Sequence, residues 1–169
     1  MTPDRGLTAL EVLGVAIKSE VDAASFYATL AARVRNPALC AKLDFVRQEE
    51  VKHRTLLQDL YARRFPDVVL QLPAKSLLPA LDGPAPDSLD IPKLFQLAMQ
   101  AEQASSDFYA REAARASDEV SRTMLRYLSN VERSHLHTLE TEYDLVSRFP
   151  DYYNADEFHL GDEGMHIGP

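Results

Sequence analysis

The sequence contains a single cysteine, Cys40, among its 169 residues. One thiol cannot form a disulfide within the chain, and it cannot build a four-cysteine zinc or iron centre. The sequence also lacks an apolar run near the roughly 20 residues that span a bilayer, and its N-terminus, residues 1–6, has no apolar signal region. We therefore expect a cytoplasmic protein without a membrane partner.

Positive charge is also scarce. The formal net charge is −8, and no lysine or arginine follows Arg148. An acidic chain is repelled by nucleic-acid phosphates and by anionic lipid, so neither is expected as a partner. The length fits one domain with its own hydrophobic core.

Glutamate and histidine recur in one spacing, Glu-x-x-His, at two places in the chain. Three residues along an α-helix make nearly one turn, so the carboxylate and the imidazole leave the same face. Each motif also follows, by thirty residues, a glutamate in another helical pattern. The residues at these positions are Glu20, Glu50, His53, Glu102, Glu132 and His135. On four helices they form a complete ligand set for two metal ions.

Apolar residues at alternating steps of three and four predict four helices. The predicted helices run from Thr8 to about Arg35, from Pro37 to about Arg64, from Ile91 to about Ala116, and from the capping sequence 117–119 to about Ser147. In each helix the glutamate and histidine candidates interrupt an otherwise apolar stripe, where an unpaired charge is costly.

Six of the ten prolines lie between Phe65 and Pro92, where the helical periodicity stops. An extended segment spans ~3.3 Å per residue, which is enough to run the length of a helix that rises ~1.5 Å per residue. We interpret residues 65–90 as a crossover between two helical hairpins in one domain of residues 1–148. The same segment could reach a second copy of the chain and give a swapped homodimer.

The two predicted hairpins are copies of each other. A shift of 82 residues superposes the first three glutamate and histidine candidates on the second three. It also superposes residues 26–28 (Phe-Tyr-Ala) on residues 108–110, which have the same sequence. We therefore expect an all-α, antiparallel four-helix bundle of two repeated hairpins, with the site on a pseudo-twofold axis.

Four carboxylates that converge in an apolar bundle repel one another, and two divalent cations would neutralise them. Oxygen and imidazole ligands suit iron or manganese, and zinc or cobalt also binds such sites. In bundles of this design, Glu20 and Glu102 bind one metal each while Glu50 and Glu132 bridge the pair. A lone Glu-x-x-His is usually a solvated helix face, but its duplication in register with apolar heptads favours a metal site.

Tyr27 and Tyr109 lie seven residues after Glu20 and Glu102, two turns further along the same stripes. Each could hydrogen-bond the glutamate of the opposite hairpin and hold it in place. Each could equally be a buried aromatic residue with another partner.

With these motifs the sequence resembles the rubrerythrin family of ferritin-like diiron proteins over roughly residues 8–148. The resemblance implies two non-haem iron ions, with manganese or zinc as substitutes, that react with hydrogen peroxide or dioxygen under oxidative stress. It implies a dimer or larger assembly. It carries over six metal ligands, with two tyrosines beside them: Glu20, Glu50, His53, Glu102, Glu132, His135, Tyr27 and Tyr109.

The sequence departs from that family in two places. Rubrerythrins proper carry an extra glutamate one turn after the third-helix ligand, where this chain has Ser105. They also carry a rubredoxin module, for which this chain lacks the cysteines, so catalysis requires an external electron donor, rubredoxin-like or other. A set of four glutamates and two histidines is closer to bacterioferritin-type ferroxidase centres. A ferroxidase and a metal-binding bundle without catalysis are therefore the alternatives.

Residues 149–169 form an acidic tail outside the repeat. We expect its apolar side chains to pack on the bundle or on a partner subunit. These are Tyr152, Tyr153, Phe158, Met165 and Ile167.

Overall fold

The computed structural model describes residues 7–77 and 89–155, and four long helices account for most of them. The helices are α1 (Ala9–Ala32), α2 (Pro37–Arg64), α3 (Ile91–Arg115) and α4 (Glu119–Arg148), followed by a 3₁₀ turn at Tyr152–Asn154. α1 packs along α2 and α3 packs along α4, so the chain forms two helical hairpins that assemble into a bundle. The predicted all-α four-helix fold is confirmed. Within the described ranges, every helix is too short or too polar to cross a bilayer.

The helices begin where local sequence offers oxygen acceptors for their first N–H groups. Thr8 and Glu11 form the predicted capping box, in which the Thr8 N–H donates to Glu11 Oε2 at 2.8 Å. Asn36 caps α2, and Pro37 takes the first helical position. Asp118 caps α4 by accepting a hydrogen bond from the Ser121 N–H at 2.8 Å. These short-range signals set the starts of the helices at the predicted residues.

α1 ends at Ala32, three residues before the predicted end at Arg35. The reason lies far along the chain. The backbone N–H groups of Arg35 and Asn36 donate to the Tyr153 carbonyl at 2.7 and 3.2 Å instead of continuing the helix. A tertiary contact of this kind leaves no mark on the local periodicity.

Two apolar clusters fill the bundle, one toward each end. On α1, for example, Val12–Ile17 contributes to one cluster and Phe26–Leu30 to the other. Each of the other three helices likewise contributes an apolar segment to both clusters. The six glutamate and histidine candidates lie between these segments, near the middle of the four helices.

The described start of the crossover runs back along α1. The Leu77 N–H donates to Ser19 Oγ at 3.0 Å, and a Cβ at Gly14 would lie 3.7 Å from Pro73 Cδ. Residues 73–77 thus lie alongside α1.

The start of the tail packs on the bundle, as predicted for Tyr152 and Tyr153. Tyr152 is buried and belongs to one of the two apolar clusters, and Tyr153 packs against the same cluster. The Tyr152 hydroxyl donates to Glu142 Oε2 at 2.7 Å. The predictions for Phe158, Met165 and Ile167 concern residues outside the described ranges.

Candidate metal centre

All six predicted ligands meet at the centre of the bundle, between the two apolar clusters. Each is at most 4% exposed, although burial of a charged side chain is costly unless it is compensated. The six residues are Glu20 on α1, Glu50 and His53 on α2, Glu102 on α3, and Glu132 and His135 on α4. Their convergence follows from the helical stripes, which direct one face of each helix toward the axis of the bundle.

One group of four donor residues consists of His53 and three glutamates. The Nδ1 atom of this histidine lies 3.4 Å from Glu20 Oε2 and 3.3 Å from Glu50 Oε2. The same nitrogen lies 3.2 Å from Glu132 Oε1. Ligands at about 2.0–2.2 Å from one ion stand at such distances from each other. The four side chains offer donor atoms within 4.8 Å of one another.

A second group of four donor residues consists of His135 and three glutamates. The Nδ1 atom of this histidine lies 3.0 Å from Glu50 Oε1, 3.4 Å from Glu132 Oε2 and 3.7 Å from Glu102 Oε2. The imidazole rings of the two histidines stack with their centroids 5.8 Å apart. Because Glu50 and Glu132 belong to both groups, the cluster contains two adjacent sites with two shared carboxylates.

Several donor atoms of the cluster lack hydrogen-bond partners. They are Glu50 Oε1, Glu132 Oε1, His135 Nδ1 and His53 Nε2, all buried. Buried polar atoms are nearly always hydrogen-bonded, and atoms that lie close to other donors of the cluster without hydrogen-bond geometry suit ligation of a shared ion. Three of the four belong to the donor set around the two sites. Divalent cations fit this set, because carboxylate oxygens and imidazole nitrogens bind them directly.

The charges in the metal-free cluster are distributed unevenly among the glutamates. Burial, together with the charges of Glu132 and Glu50, raises the pKa of Glu20 well above its usual value. Burial and the same two neighbours raise the pKa of Glu102. Glu50 and Glu132 have lowered pKa values, because contacts with both histidines outweigh the effect of burial.

The histidines hold protons in the metal-free cluster. Burial alone would favour the neutral imidazole, but contacts with Glu132, Glu20 and Glu50 outweigh it and raise the pKa of His53 to about 12. The pKa of His135 is raised for the same reason. Imidazolium groups beside the carboxylates of Glu50 and Glu132 offset part of the buried charge when no metal is bound.

Tyr27 and Tyr109 brace the cluster across the two hairpins. The Tyr27 hydroxyl donates to Glu102 Oε1, and the Tyr109 hydroxyl donates to Glu20 Oε1. Of the two interpretations open at the sequence level, the hydrogen bond to the opposite glutamate is therefore the one observed. Burial and the adjacent carboxylates raise the pKa of both phenols, so they remain donors.

The sequence model of the rubrerythrin family matches residues 11–143 of this chain. The chain belongs to the rubrerythrin family. A solved structure of a hypothetical protein from Pyrococcus furiosus is 34% identical to it and superposes with a TM-score of 0.77. The alignment covers 85% of this chain and 92% of that one. No curated protein matches the sequence.

Rubrerythrins are ferritin-like proteins that typically bind iron, and the buried cluster of this rubrerythrin is compatible with a diiron site. Membership of the family also indicates an oxidoreductase in general terms. Cys40, the single cysteine of the sequence, is a free thiol and cannot by itself form a four-cysteine module.

One residue beside the cluster does not follow from the helical stripes. The Tyr127 ring stands edge-on to the His53 ring, with centroids 6.4 Å apart, although 48% of Tyr127 is exposed. The repeat contains a signal for it, because a shift of 82 residues places Tyr127 on Phe45. Two exposed aromatic residues at matching positions indicate a feature shared by both halves.

Proposed function

We propose that this rubrerythrin is a non-haem diiron oxidoreductase that reduces hydrogen peroxide or dioxygen while ferrous iron is oxidised. The observation that carries the proposal is the sharing of Glu50 and Glu132 by two adjacent four-donor groups. Such an arrangement suits two ions held close together rather than two independent sites. The proposed ligands are the six residues of the cluster, with Glu50 and Glu132 as the bridges.

Two ferrous ions bound there would supply the two electrons that reduce hydrogen peroxide to water or dioxygen to hydrogen peroxide, with protons from solvent. The chain's own residues hold the donors in place. Tyr27 and Tyr109 fix the orientation of Glu102 and Glu20, and a fixed carboxylate loses less entropy when it binds a metal. The apolar clusters on both sides limit the access of water to the site.

A ferroxidase is the second candidate function. Each donor group contains one histidine, one unshared glutamate and the two shared glutamates, so the two sites are balanced. Ser105, which is buried, occupies the position at which the family carries a further glutamate. A balanced site without that glutamate favours oxidation of iron by dioxygen over turnover with peroxide.

The chain has a single cysteine and so cannot build its own rubredoxin centre. We propose an external electron donor, rubredoxin-like or other, for any catalytic cycle. We also propose a homodimer, in which the crossover of residues 65–90 either stays within its own bundle or exchanges hairpins between the two chains.

Stopped-flow absorbance tests the function on protein that is loaded anaerobically with ferrous iron and then mixed with hydrogen peroxide or with dioxygen. The proposal predicts fast oxidation by at least one oxidant, with peroxide faster for a peroxidase and dioxygen faster for a ferroxidase. Slow oxidation by both oxidants would contradict the proposed oxidoreductase activity and favour a metal-binding bundle without catalysis.

A further inference from the structure

A cleft between α2 and α4 reaches the candidate metal centre from the surface. Its volume is about 360 Å³, and His135 lies among its lining residues. Phe45 and Tyr127 also line it and are 60% and 48% exposed. The volume lies within the range of small-molecule sites, which is about 300–1,000 Å³.

The cleft is asymmetric although the bundle is a repeat. On the His53 side, the Tyr127 ring lies perpendicular to the imidazole with the two centroids 6.4 Å apart. Around His135 the lining includes Ser134 and Thr138, whereas the matching positions of the first hairpin, 82 residues earlier, are Lys52 and Leu56. Smaller side chains on one side leave room beside His135. The second metal position, that of Glu102 and His135, therefore faces the cleft.

The walls of the cleft are mainly apolar. Phe45, Val46, Tyr127 and Val131 contribute rings and branched side chains to the lining. Hydrogen peroxide has no apolar part that could use such walls, whereas a molecule with an alkyl or aryl group would bury them and gain free energy in proportion to the apolar area.

The cleft offers several hydrogen-bond acceptors, and none of its lining residues is a lysine or arginine that could pair with an anion. Thr138 Oγ1 donates to the Ser134 carbonyl at 3.1 Å, and Ser134 Oγ donates to the Asn130 carbonyl at 3.2 Å. Each hydroxyl has thus used its hydrogen, and its oxygen remains as an acceptor. Glu49 adds a carboxylate, which pairs with Lys52 Nζ at 2.6 Å, and Asn130 adds an amide that can donate or accept. The occupant should therefore be uncharged and carry an O–H donor.

We infer that this cleft binds a small, uncharged organic hydroperoxide and presents its O–O bond to the His135 side of the centre. This inference rests on the proposed diiron function. Reduction of the hydroperoxide consumes two electrons and two protons, breaks the O–O bond, and yields the alcohol and water. The electrons are those released when two ferrous ions become ferric, and the protons come from solvent.

Binding is tested with 2-phenylpropan-2-ol, the alcohol formed from cumene hydroperoxide. Isotope-labelled protein, with zinc added as a redox-inert ion, is titrated with this alcohol and followed by amide NMR. The inference predicts saturable shifts at Val131, Ser134 and Thr138. Shifts confined to the separate cavity beside Leu60 and Leu125, at one end of the bundle, would overturn it, and so would the absence of shifts.

Matched variants on α4 locate the bound molecule. Thr138→Leu reproduces the larger residue of the first hairpin, and we expect it to weaken binding by about tenfold or more, or ~1.4 kcal/mol. Thr141→Leu is the control, because Thr141 makes the same hydroxyl-to-carbonyl bond at 3.1 Å one turn further along, on an exposed position. Equal effects of the two substitutions would overturn the inference.

Two further measurements separate this inference from its alternatives. In light scattering, Phe45→Ala should have the same mass as the parent protein. A smaller mass would show that the cleft face instead contacts another copy of the chain. In stopped flow, Thr138→Leu should slow oxidation by cumene hydroperoxide more than it slows oxidation by hydrogen peroxide. Failure of the alcohol to bind, with fast oxidation by hydrogen peroxide, would overturn the cleft assignment alone. Binding without any oxidation would overturn the proposed function alone.

Discussion

Tyr27 and Tyr109 connect the two halves of the molecule at the level of single atoms. Each phenol lies on one hairpin and donates to the unshared glutamate of the other. A carboxylate held in this way keeps its other oxygen available for the centre, so each tyrosine is tied to one of the two sites. The two glutamates are thereby oriented by residues of the opposite repeat.

The substitution Tyr27→Phe should weaken the binding of one of the two ions by about 10–100-fold, because Glu102 loses its fixed orientation. The affinity of the site of Glu20 and His53 should change little. Calorimetric titration of metal-free protein measures both affinities.

The control for that substitution is Tyr152→Phe, which also removes a buried tyrosine–glutamate hydrogen bond, of 2.7 Å, but at Glu142. It should reduce the free energy of unfolding by about 1 kcal/mol and leave both metal affinities unchanged. If Tyr27→Phe weakens both ions equally, or neither, the assignment of Tyr27 to one site is wrong.

The protonation of the metal-free cluster predicts that metal binding releases protons. The raised pKa of His53, about 12, keeps a proton on it at pH 7, and the raised pKa values of His135, Glu20 and Glu102 favour their protonated forms. Divalent ions that bind through these groups would displace such protons. Protons compete with metal, so the affinity should fall as the pH falls. Calorimetric titration in buffers of different ionisation enthalpy measures the number of protons released when metal binds. A number near zero would contradict the prediction.

At the scale of single residues, the convergence of the six ligand candidates could be predicted, because helical spacing places the candidates of each helix on its inward face. Tyr127 could not be predicted in the same way. It lies off the apolar stripe, and its contact with His53 depends on how far α2 and α4 stand apart. The distance between two helices is set by side chains on both, and periodicity within one helix carries no information about it.

Among the elements, the turn between α1 and α2 depends most on the rest of the molecule. The Asn36 side-chain oxygen accepts from the N–H groups of Ala38 and Leu39 at 3.0 and 3.1 Å. Its Nδ2 donates to the Tyr152 carbonyl at 3.0 Å. One residue therefore caps α2 and holds the segment that follows α4.

Asn36→Ala should lower the free energy of unfolding by about 2 kcal/mol, since it removes a helix cap and a buried tertiary hydrogen bond. Asp90→Ala is the comparison, because Asp90 caps α3 through one exposed hydrogen bond of 2.8 Å to the Lys93 N–H. Asp90→Ala should lower the free energy of unfolding by about 1 kcal/mol. Urea denaturation measures both variants, and equal losses would contradict the tertiary role of Asn36.

The helix starts could be predicted from capping residues, whereas the end of α1 and the path of the crossover could not. Caps are local, and Thr8, Asn36 and Asp118 act within three residues of themselves. The contact between Leu77 and Ser19 joins residues 58 positions apart. Its register depends on how the proline-rich segment lies against α1.

At the scale of the whole molecule, the centre joins two hairpins that otherwise pack mainly within themselves. Metal that binds only the folded form stabilises it, by about 2.7 kcal/mol per site at a free ion concentration 100 times the Kd. For a chain of this size that corresponds to a rise in Tm of about 5–10 °C per site. Calorimetry with and without iron or zinc measures it. Calcium, which prefers oxygen ligands alone, is the control, and an unchanged Tm would contradict a buried site.

The most direct test of the account is the number of ferrous ions bound per chain, measured by anaerobic titration of metal-free protein and of two variants. We predict two ions for the parent protein and about one for Glu20→Ala. We predict a larger loss for Glu50→Ala, because Glu50 belongs to both donor groups. One ion or none in the parent protein, or equal losses in the two variants, would contradict a pair of metals bridged by Glu50 and Glu132.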